Sequence, residues 1–125
     1  VMISSQLFDE GAVEGLPGNP KLIYEPGVYD FKGIKFQGVG IDHDRKGGKQ
    51  FGINAAWSWS QAGIKITHLG APAAPLSFEQ KVLFGRPDIL FVPVGGGPKA
   101  YNATEAQQAI QALNPKLVVP THFRT

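Results

Sequence analysis

The sequence predicts an α/β domain in which antiparallel hairpins are followed by a parallel βαβ segment. Two observations support this fold class. In the first half, apolar and polar residues alternate with period two, which is typical of half-buried strands. In the second half, apolar residues change to helical spacing, and continuously apolar runs of the kind found in parallel sheets separate the helical segments.

The first half is predicted to contain short elements separated by turns. Residues 1–3 and 21–24 are predicted as short strands, and residues 10–16 as one or two helical turns. Two hairpins follow. One pairs residues 28–31 with 34–41, and the other pairs residues 51–60 with 64–69. Trp57 and Trp59 share one face of the second hairpin, which indicates sheet packing rather than a ligand-binding platform.

The second half is predicted to be a parallel α/β segment. Helices are expected over residues 76–84 and 103–113, because Ser77 with Gln80, and Asn102 with Glu105, have the spacing of a capping box. Strands are expected over residues 88–94 and 116–120. A strand, a helix and a strand with this spacing form a βαβ unit, whose two strands pair in parallel.

The composition limits the classes of function. A chain of 125 residues with 42% hydrophobic and 18% charged residues can form one domain with a core, and we expect it to be soluble. The net charge of +2 is too small to indicate a nucleic-acid surface, although Arg45, Lys46 and Lys49 share one loop that could bind a small anion. The absence of cysteine excludes disulfides and thiolate metal sites. We expect no membrane span and see no targeting segment, so the compartment stays undetermined.

Side chains that can bind metals lie at the ends of the predicted strands. His43, His68 and His122 each close an apolar run, and Asp9 and Glu10 follow the run at residues 1–3. Strand ends are where open α/β folds bind ligands. Gly95 to Gly97 follow another strand, and we interpret them as a turn that lets backbone pass close by, rather than as a phosphate cradle.

The order and spacing of these pieces resemble the metallo-β-lactamase superfamily, in particular the bacterial metal-dependent hydrolases that include sugar lactonases. The pieces that carry the resemblance are Val1-Met2-Ile3-Ser4-Ser5 with Phe8-Asp9, Asn19-Pro20-Lys21, Glu25-Pro26-Gly27, Asp42-His43-Asp44, Ala62-Gly63-Ile64-Lys65-Ile66, His68-Leu69-Gly70, Pro93-Val94-Gly95-Gly96-Gly97, Pro115-Lys116 and Val119-Pro120-Thr121-His122. The resemblance implies a partial αββα sandwich. Residues 1–125 would form a single domain that lacks the N-terminal strands and the C-terminal end of the family fold. Exposed sheet edges would then be covered by missing segments or by self-association.

The resemblance also implies where metal ligands would lie. Family members bind two metal ions, usually zinc, and their ligand positions fall here on Ser5, Leu7, Asp9, Glu10, His43, Ala71 and His122. The bridging aspartate falls on Ala71. His68 resembles a supporting residue more than a ligand.

These assignments leave the two metal sites in different states. The first site keeps only His43, because serine is a poor zinc ligand and leucine cannot be one, so we regard this site as lost. The second site keeps Asp9, Glu10 and His122, which could hold one Zn²⁺, Mn²⁺ or Fe²⁺. The expected function is therefore a hydrolase-fold protein with a degenerate metal site, no cofactor, and impaired or lost hydrolysis, serving as a binding or scaffold protein.

Two alternatives stay open. One is a mononuclear hydrolase of a lactone or phosphoester, in which Asp9, Glu10 and His122 hold the metal and His43 polarises the substrate. The other needs no metal: His43, beside Asp42 or Asp44, would act as a general base towards water, with Ser5 as a conceivable nucleophile.

Overall fold

A six-stranded mixed sheet forms the centre of the protein, in a computed structural model that describes residues 1–123. The strands lie in the sheet in the same order as in the chain. The elements are β1 (Gly27–Phe31), β2 (Ile34–Asp42), β3 (Ile53–Gln61), β4 (Ile64–His68), α1 (Phe78–Phe84), β5 (Ile89–Pro93), α2 (Ala103–Leu113) and β6 (Leu117–Thr121). The predicted α/β fold class is therefore confirmed.

Both predicted hairpins are present. The pairs β1–β2, β2–β3 and β3–β4 are antiparallel. The tight turns lie at Lys32-Gly33, with φ values of 52° and 81°, and at Ala62-Gly63, with φ values of 53° and 77°. Two successive residues with positive φ are what a two-residue hairpin turn requires to match the twist of the strands.

The second half forms the predicted parallel segment. Strand β5 pairs in parallel with both β4 and β6, and α2 connects β5 to β6. Each helix begins with the predicted capping box, Ser77 with Gln80 in α1 and Asn102 with Glu105 in α2. Asn114 ends α2 in the left-handed conformation, with φ of 49°.

Three sequence predictions in the first half are wrong. Residues 1–3 and 21–24 form no strands and meet only at an isolated parallel bridge between Met2 and Ile23. Residues 10–16 contain turns but no helix. Gly15 there has φ of 80°, a backbone conformation incompatible with a right-handed helix. Strand β3 begins at Ile53 instead of residue 51.

The two faces of the sheet have different environments. The buried core on one face joins the sheet to both helices and contains Val39, Ile41, Ala56, Leu69, Leu76, Phe84, Leu90, Val92, Tyr101, Ala106, Ala109 and Leu113. The opposite face carries aromatic pairs, including Tyr29 with Trp57 at 5.8 Å between ring centroids. Trp57 is buried, and its indole N–H donates to the Ile3 carbonyl at 2.9 Å, so it packs within the sheet as predicted.

Several large apolar side chains remain on the surface. Phe78 and Val82 of α1 and Leu117 of the edge strand β6 are exposed. Self-association through such surfaces stays a prediction. Within residues 1–123, no helix has both the length and the apolar character needed to cross a membrane.

Candidate functional site

The residues of the first family motif form a tight turn rather than an open ligand loop. In residues 5–11, here called the acidic turn, the Ser5 hydroxyl accepts the Leu7 N–H at 3.1 Å. The Leu7 carbonyl accepts the N–H groups of Glu10 at 3.0 Å and Gly11 at 2.7 Å. A side chain at Gly11 would overlap the Ser5 carbonyl, so this close return of the chain requires glycine. Ser5 is buried, whereas Asp9 is exposed.

His43 lies directly after β2, is fully buried, and uses both of its ring nitrogens. Nδ1 lies 2.5 Å from the Ala71 carbonyl oxygen, and Nε2 lies 2.6 Å from Oε2 of Glu10. Both ring nitrogens of His43 therefore have an oxygen partner within the protein. The structure therefore joins two candidate residues from distant parts of the sequence, Glu10 and His43, in a direct side-chain contact.

Lys99 completes this cluster. Its ammonium nitrogen lies 2.6 Å from Oδ2 of Asp9 and 3.3 Å from Oε1 of Glu10. The hydrogen bond between the two side chains lowers the pKa of Asp9 and raises that of Lys99. Sequence reasoning missed Lys99. The available signal was its place just after the glycines that follow β5, at the end of the sheet where the histidines were expected.

Arg45 holds the backbone of the loop that carries Lys99. In this loop, residues 95–101 and here called the glycine loop, the carbonyls of Gly97 and Ala100 accept from the Arg45 guanidinium at 3.2 and 3.0 Å. The same guanidinium donates to Oε1 of Glu105 at 2.8 Å. This ion pair raises the pKa of Arg45 and lowers that of Glu105. Arg45 is thus engaged within the protein, although the sequence suggested it for an anionic ligand.

Asp44 organises the loop that follows His43. Its carboxylate accepts backbone N–H groups from four residues at distances of 2.6 to 2.9 Å: Lys46, Gly48, Gln50 and Phe51. These bonds, that of Phe51 first, lower the pKa of Asp44 to about 2. The carboxylate of Asp44 therefore holds its own loop, while the His43 ring is bonded to Ala71 and Glu10.

The remaining candidate residues occupy separate places. His122 is exposed after β6 with φ of 54°, and a side chain at Gly95 would overlap its carbonyl, which confirms the predicted close backbone approach at the glycines. Nδ1 of His68 accepts the Gly70 N–H at 3.0 Å, and burial lowers the pKa of His68. Ala71 is buried.

Asn54 is a second residue that sequence reasoning missed. It is fully buried in β3, donates to the Leu69 carbonyl at 2.7 Å and accepts the Ala71 N–H at 2.9 Å. Because the Ala71 carbonyl is in turn the partner of His43, Asn54 fixes the backbone that orients the buried imidazole. The sequence did contain a signal for this role, because Asn54 is a polar residue inside a predicted strand.

Within the described part of the chain, no group of three or more His, Asp or Glu side chains is arranged to hold a metal ion. A cleft of about 360 Å³ lies beside the acidic turn and is lined by Ser4, Ser5, Gln6, Leu7, Tyr24, Glu25, Pro26, Phe51, Gly52 and Ile53. The metal-binding roles of Asp9, Glu10, His43 and His122 stay predictions.

Comparisons of the sequence with known proteins identify the family of this chain. The family model described as "Beta-lactamase superfamily domain" matches residues 1–122. A UPF0173 metal-dependent hydrolase of Thermococcus onnurineus is 31% identical over 119 residues, which cover 90% of this chain and 51% of that protein. A UPF0173 metal-dependent hydrolase of Thermoplasma acidophilum is 25% identical over 121 residues, covering 97% of this chain and 51% of that protein.

A solved structure gives the same result. The chain superposes with a TM-score of 0.73 and 33% identity on a proposed zinc-dependent hydrolase of the metallo-β-lactamase superfamily from Thermotoga maritima, covering 84% of this chain and 50% of that one. The chain spans about half the length of the curated relatives it matches. By sequence and by fold, the chain belongs to the metallo-β-lactamase superfamily of metal-dependent hydrolases.

Proposed function

We propose that this domain has a degenerate metal site and that its hydrolase activity is impaired or lost. The observation that carries the proposal is the engagement of His43. A metal-bound imidazole coordinates through a free ring nitrogen, and both ring nitrogens of His43 already contact oxygen atoms of the protein. The contacts of His43 with Ala71 and Glu10 therefore support a structural role for this imidazole.

The other motif positions support the same interpretation. The side chain of Leu7 has no donor atom, the Ser5 hydroxyl accepts a backbone N–H within its own turn, and Ala71 offers only its backbone. Asp9 and Glu10 share the Lys99 ammonium as their partner. As arranged in this structure, these residues do not fit a bound metal, because the Lys99 ammonium already pairs with both carboxylates that would bind it.

The proposed remaining role is the binding of a small molecule without a metal cofactor. The cleft beside the acidic turn supports this role, because it combines polar atoms of Ser5 and Glu25 with the apolar surface of Phe51 and Ile53. With Arg45 paired to Glu105, the anionic ligand expected at the basic loop would depend on Lys46 and Lys49, which are exposed.

The second candidate is a mononuclear hydrolase that uses Asp9, Glu10 and His122. One observation favours it: the two carboxylates converge on a single point, which Lys99 occupies. If Lys99 moved aside, the same two groups could bind one divalent ion, and His122 would have to approach from the end of β6.

Metal content and hydrolysis of the full-length wild-type protein separate the two candidates. The protein is purified without chelator, incubated with Zn²⁺, Mn²⁺ or Fe²⁺, desalted, and assayed by mass spectrometry and with lactone and phosphoester substrates. The degenerate-site proposal expects no retained metal and no hydrolysis above that of an Asp9→Asn control. One retained equivalent with turnover, both lost in Asp9→Asn and in His122→Ala, would establish the mononuclear hydrolase instead.

A further inference from the structure

The ammonium group of Lys99 lies between two carboxylates at the centre of the candidate site. Nζ contacts Oδ2 of Asp9 at 2.6 Å and Oε1 of Glu10 at 3.3 Å, and it lies 5.5 Å from the ring centroid of Phe51. The other oxygen of Glu10 contacts Nε2 of His43 at 2.6 Å. One positive group thus lies among the side chains of three motif positions that the family resemblance assigns to metal ligands.

This ion pair differs from a solvated surface contact. The side chains of Lys99 and Glu10 are only 21% and 17% exposed, whereas that of Asp9 is 64% exposed. Less water around Lys99 and Glu10 means weaker screening of their attraction. The cluster is therefore most enclosed where Glu10 meets Lys99 and His43.

The backbone around Lys99 is held in place by contacts remote from the carboxylates. Arg45 binds the carbonyls of Gly97 and Ala100, on either side of Lys99, and Glu105 at the start of α2 holds Arg45. The Gly96 N–H donates to the Tyr101 carbonyl at 2.8 Å and closes the loop. Because the loop backbone is held by these bonds, little backbone freedom is lost when the Lys99 ammonium pairs with Asp9 and Glu10.

We propose that Lys99 is the resident cation of this centre, an internal ammonium that replaces the divalent ion of metal-dependent relatives and makes the site independent of metal. The inference rests on the proposed function and assigns a residue to it. The lysine ammonium lies within ion-pair distance of both carboxylates, and Glu10 also contacts the His43 ring. Removal of the lysine charge leaves the two carboxylates with excess negative charge. Carboxylate oxygens in such a site are ligands that Mn²⁺ binds.

The first experiment uses the wild-type protein, so it does not depend on a variant that folds. Lysines are acylated under limiting reagent and quantified by peptide mass spectrometry. We expect Lys99 to react at least about tenfold more slowly than the exposed Lys46 and Lys49, because its side chain is only 21% exposed and its nitrogen is paired with two carboxylates. Millimolar Mn²⁺ should leave this protection unchanged. Rapid labelling of Lys99, or labelling that Mn²⁺ accelerates, would overturn the proposal.

The second experiment removes the charge. Titration of Mn²⁺ followed by electron paramagnetic resonance is expected to show at least about tenfold tighter binding to Lys99→Met than to the wild type. The gain should be absent in Lys99→Arg, which keeps the charge, and lost in the double variant Lys99→Met with Glu10→Gln. Lys116→Met is the matched control, since Lys116 pairs with Asp88 elsewhere on the surface at 3.2 Å.

A folded Lys99→Met protein that binds Mn²⁺ no better than the wild type would refute the inference. Circular dichroism establishes that the variant is folded, and Lys99→Gln replaces it if it is not. The two proposals fail in different ways. Hydrolysis by the metal-loaded wild-type protein would overturn the proposed function, whereas failure of the labelling or Mn²⁺ experiments in an inactive protein would overturn only the role of Lys99.

Discussion

Asn54 provides the most direct test of how the sheet supports the candidate site. Its side chain is fully buried and pairs with the Leu69 carbonyl and the Ala71 N–H. The variant Asn54→Leu keeps the branching at Cγ with a larger side chain, but it leaves both backbone groups without their side-chain partner. An unsatisfied buried polar group costs roughly 1–3 kcal/mol, so two give roughly 2–6 kcal/mol. We therefore expect Asn54→Leu to lower the unfolding free energy by roughly 2–6 kcal/mol.

The assay is urea unfolding followed by the fluorescence of Trp57 and Trp59, with linear extrapolation to zero denaturant. Gln111→Leu is the matched control, since Gln111 is exposed on α2 and its substitution should change the unfolding free energy by no more than about 0.5 kcal/mol. The reasoning would be refuted if Asn54→Leu, with an unchanged denaturant dependence, were as stable as Gln111→Leu.

Two further variants test the Asp44 loop and the packing of the sheet. The folded-state pKa of Asp44, about 2, lies below its ordinary value of 3.8, so its ionised form stabilises the fold above the ordinary value and this contribution disappears as the pH falls towards 2. Asp44→Asn should therefore lower the unfolding free energy at neutral pH, and urea titrations at decreasing pH should show the difference from wild type shrinking; a constant difference would contradict the assigned cause. Gly38→Ala would place its Cβ 2.7 Å from Cζ3 of Trp57, and we expect a loss of about 1–3 kcal/mol with a changed tryptophan emission. Unchanged stability and emission in Gly38→Ala would show that the indole moves aside freely.

The elements that sequence predicted well depend on local interactions. The capping boxes of Ser77 and Asn102 each link residues three positions apart, so the pattern is complete within one turn of chain. The turns at Lys32-Gly33 and Ala62-Gly63 are likewise decided by the conformations that two adjacent residues can adopt. Such features can be predicted from sequence because they do not depend on residues that are distant in the chain.

The prediction over residues 10–16 failed for the opposite reason. The single turn that the Leu7 carbonyl closes with Glu10 and Gly11 does not continue as a helix, because the chain at Gly11 returns against Ser5 and Gly15 has φ of 80°. The short apolar run at residues 1–3 failed similarly, because Ile3 and Ser4 offer their carbonyls to Trp57 and Ala55 instead of joining a regular ladder. In both cases tertiary contacts override a weak local preference.

By itself, the sequence determined the fold class, the family resemblance, and which ligand positions of the family have changed, because these depend on residue identity, order and short-range spacing. Only the tertiary structure decided what the surviving residues contact. Glu10 and His43 are 33 positions apart and Lys99 lies 90 positions from Asp9, yet all four side chains form one cluster. Their pairing arises from the order of strands in the sheet and from the Arg45 contacts that fix the glycine loop, and neither can be obtained from local patterns.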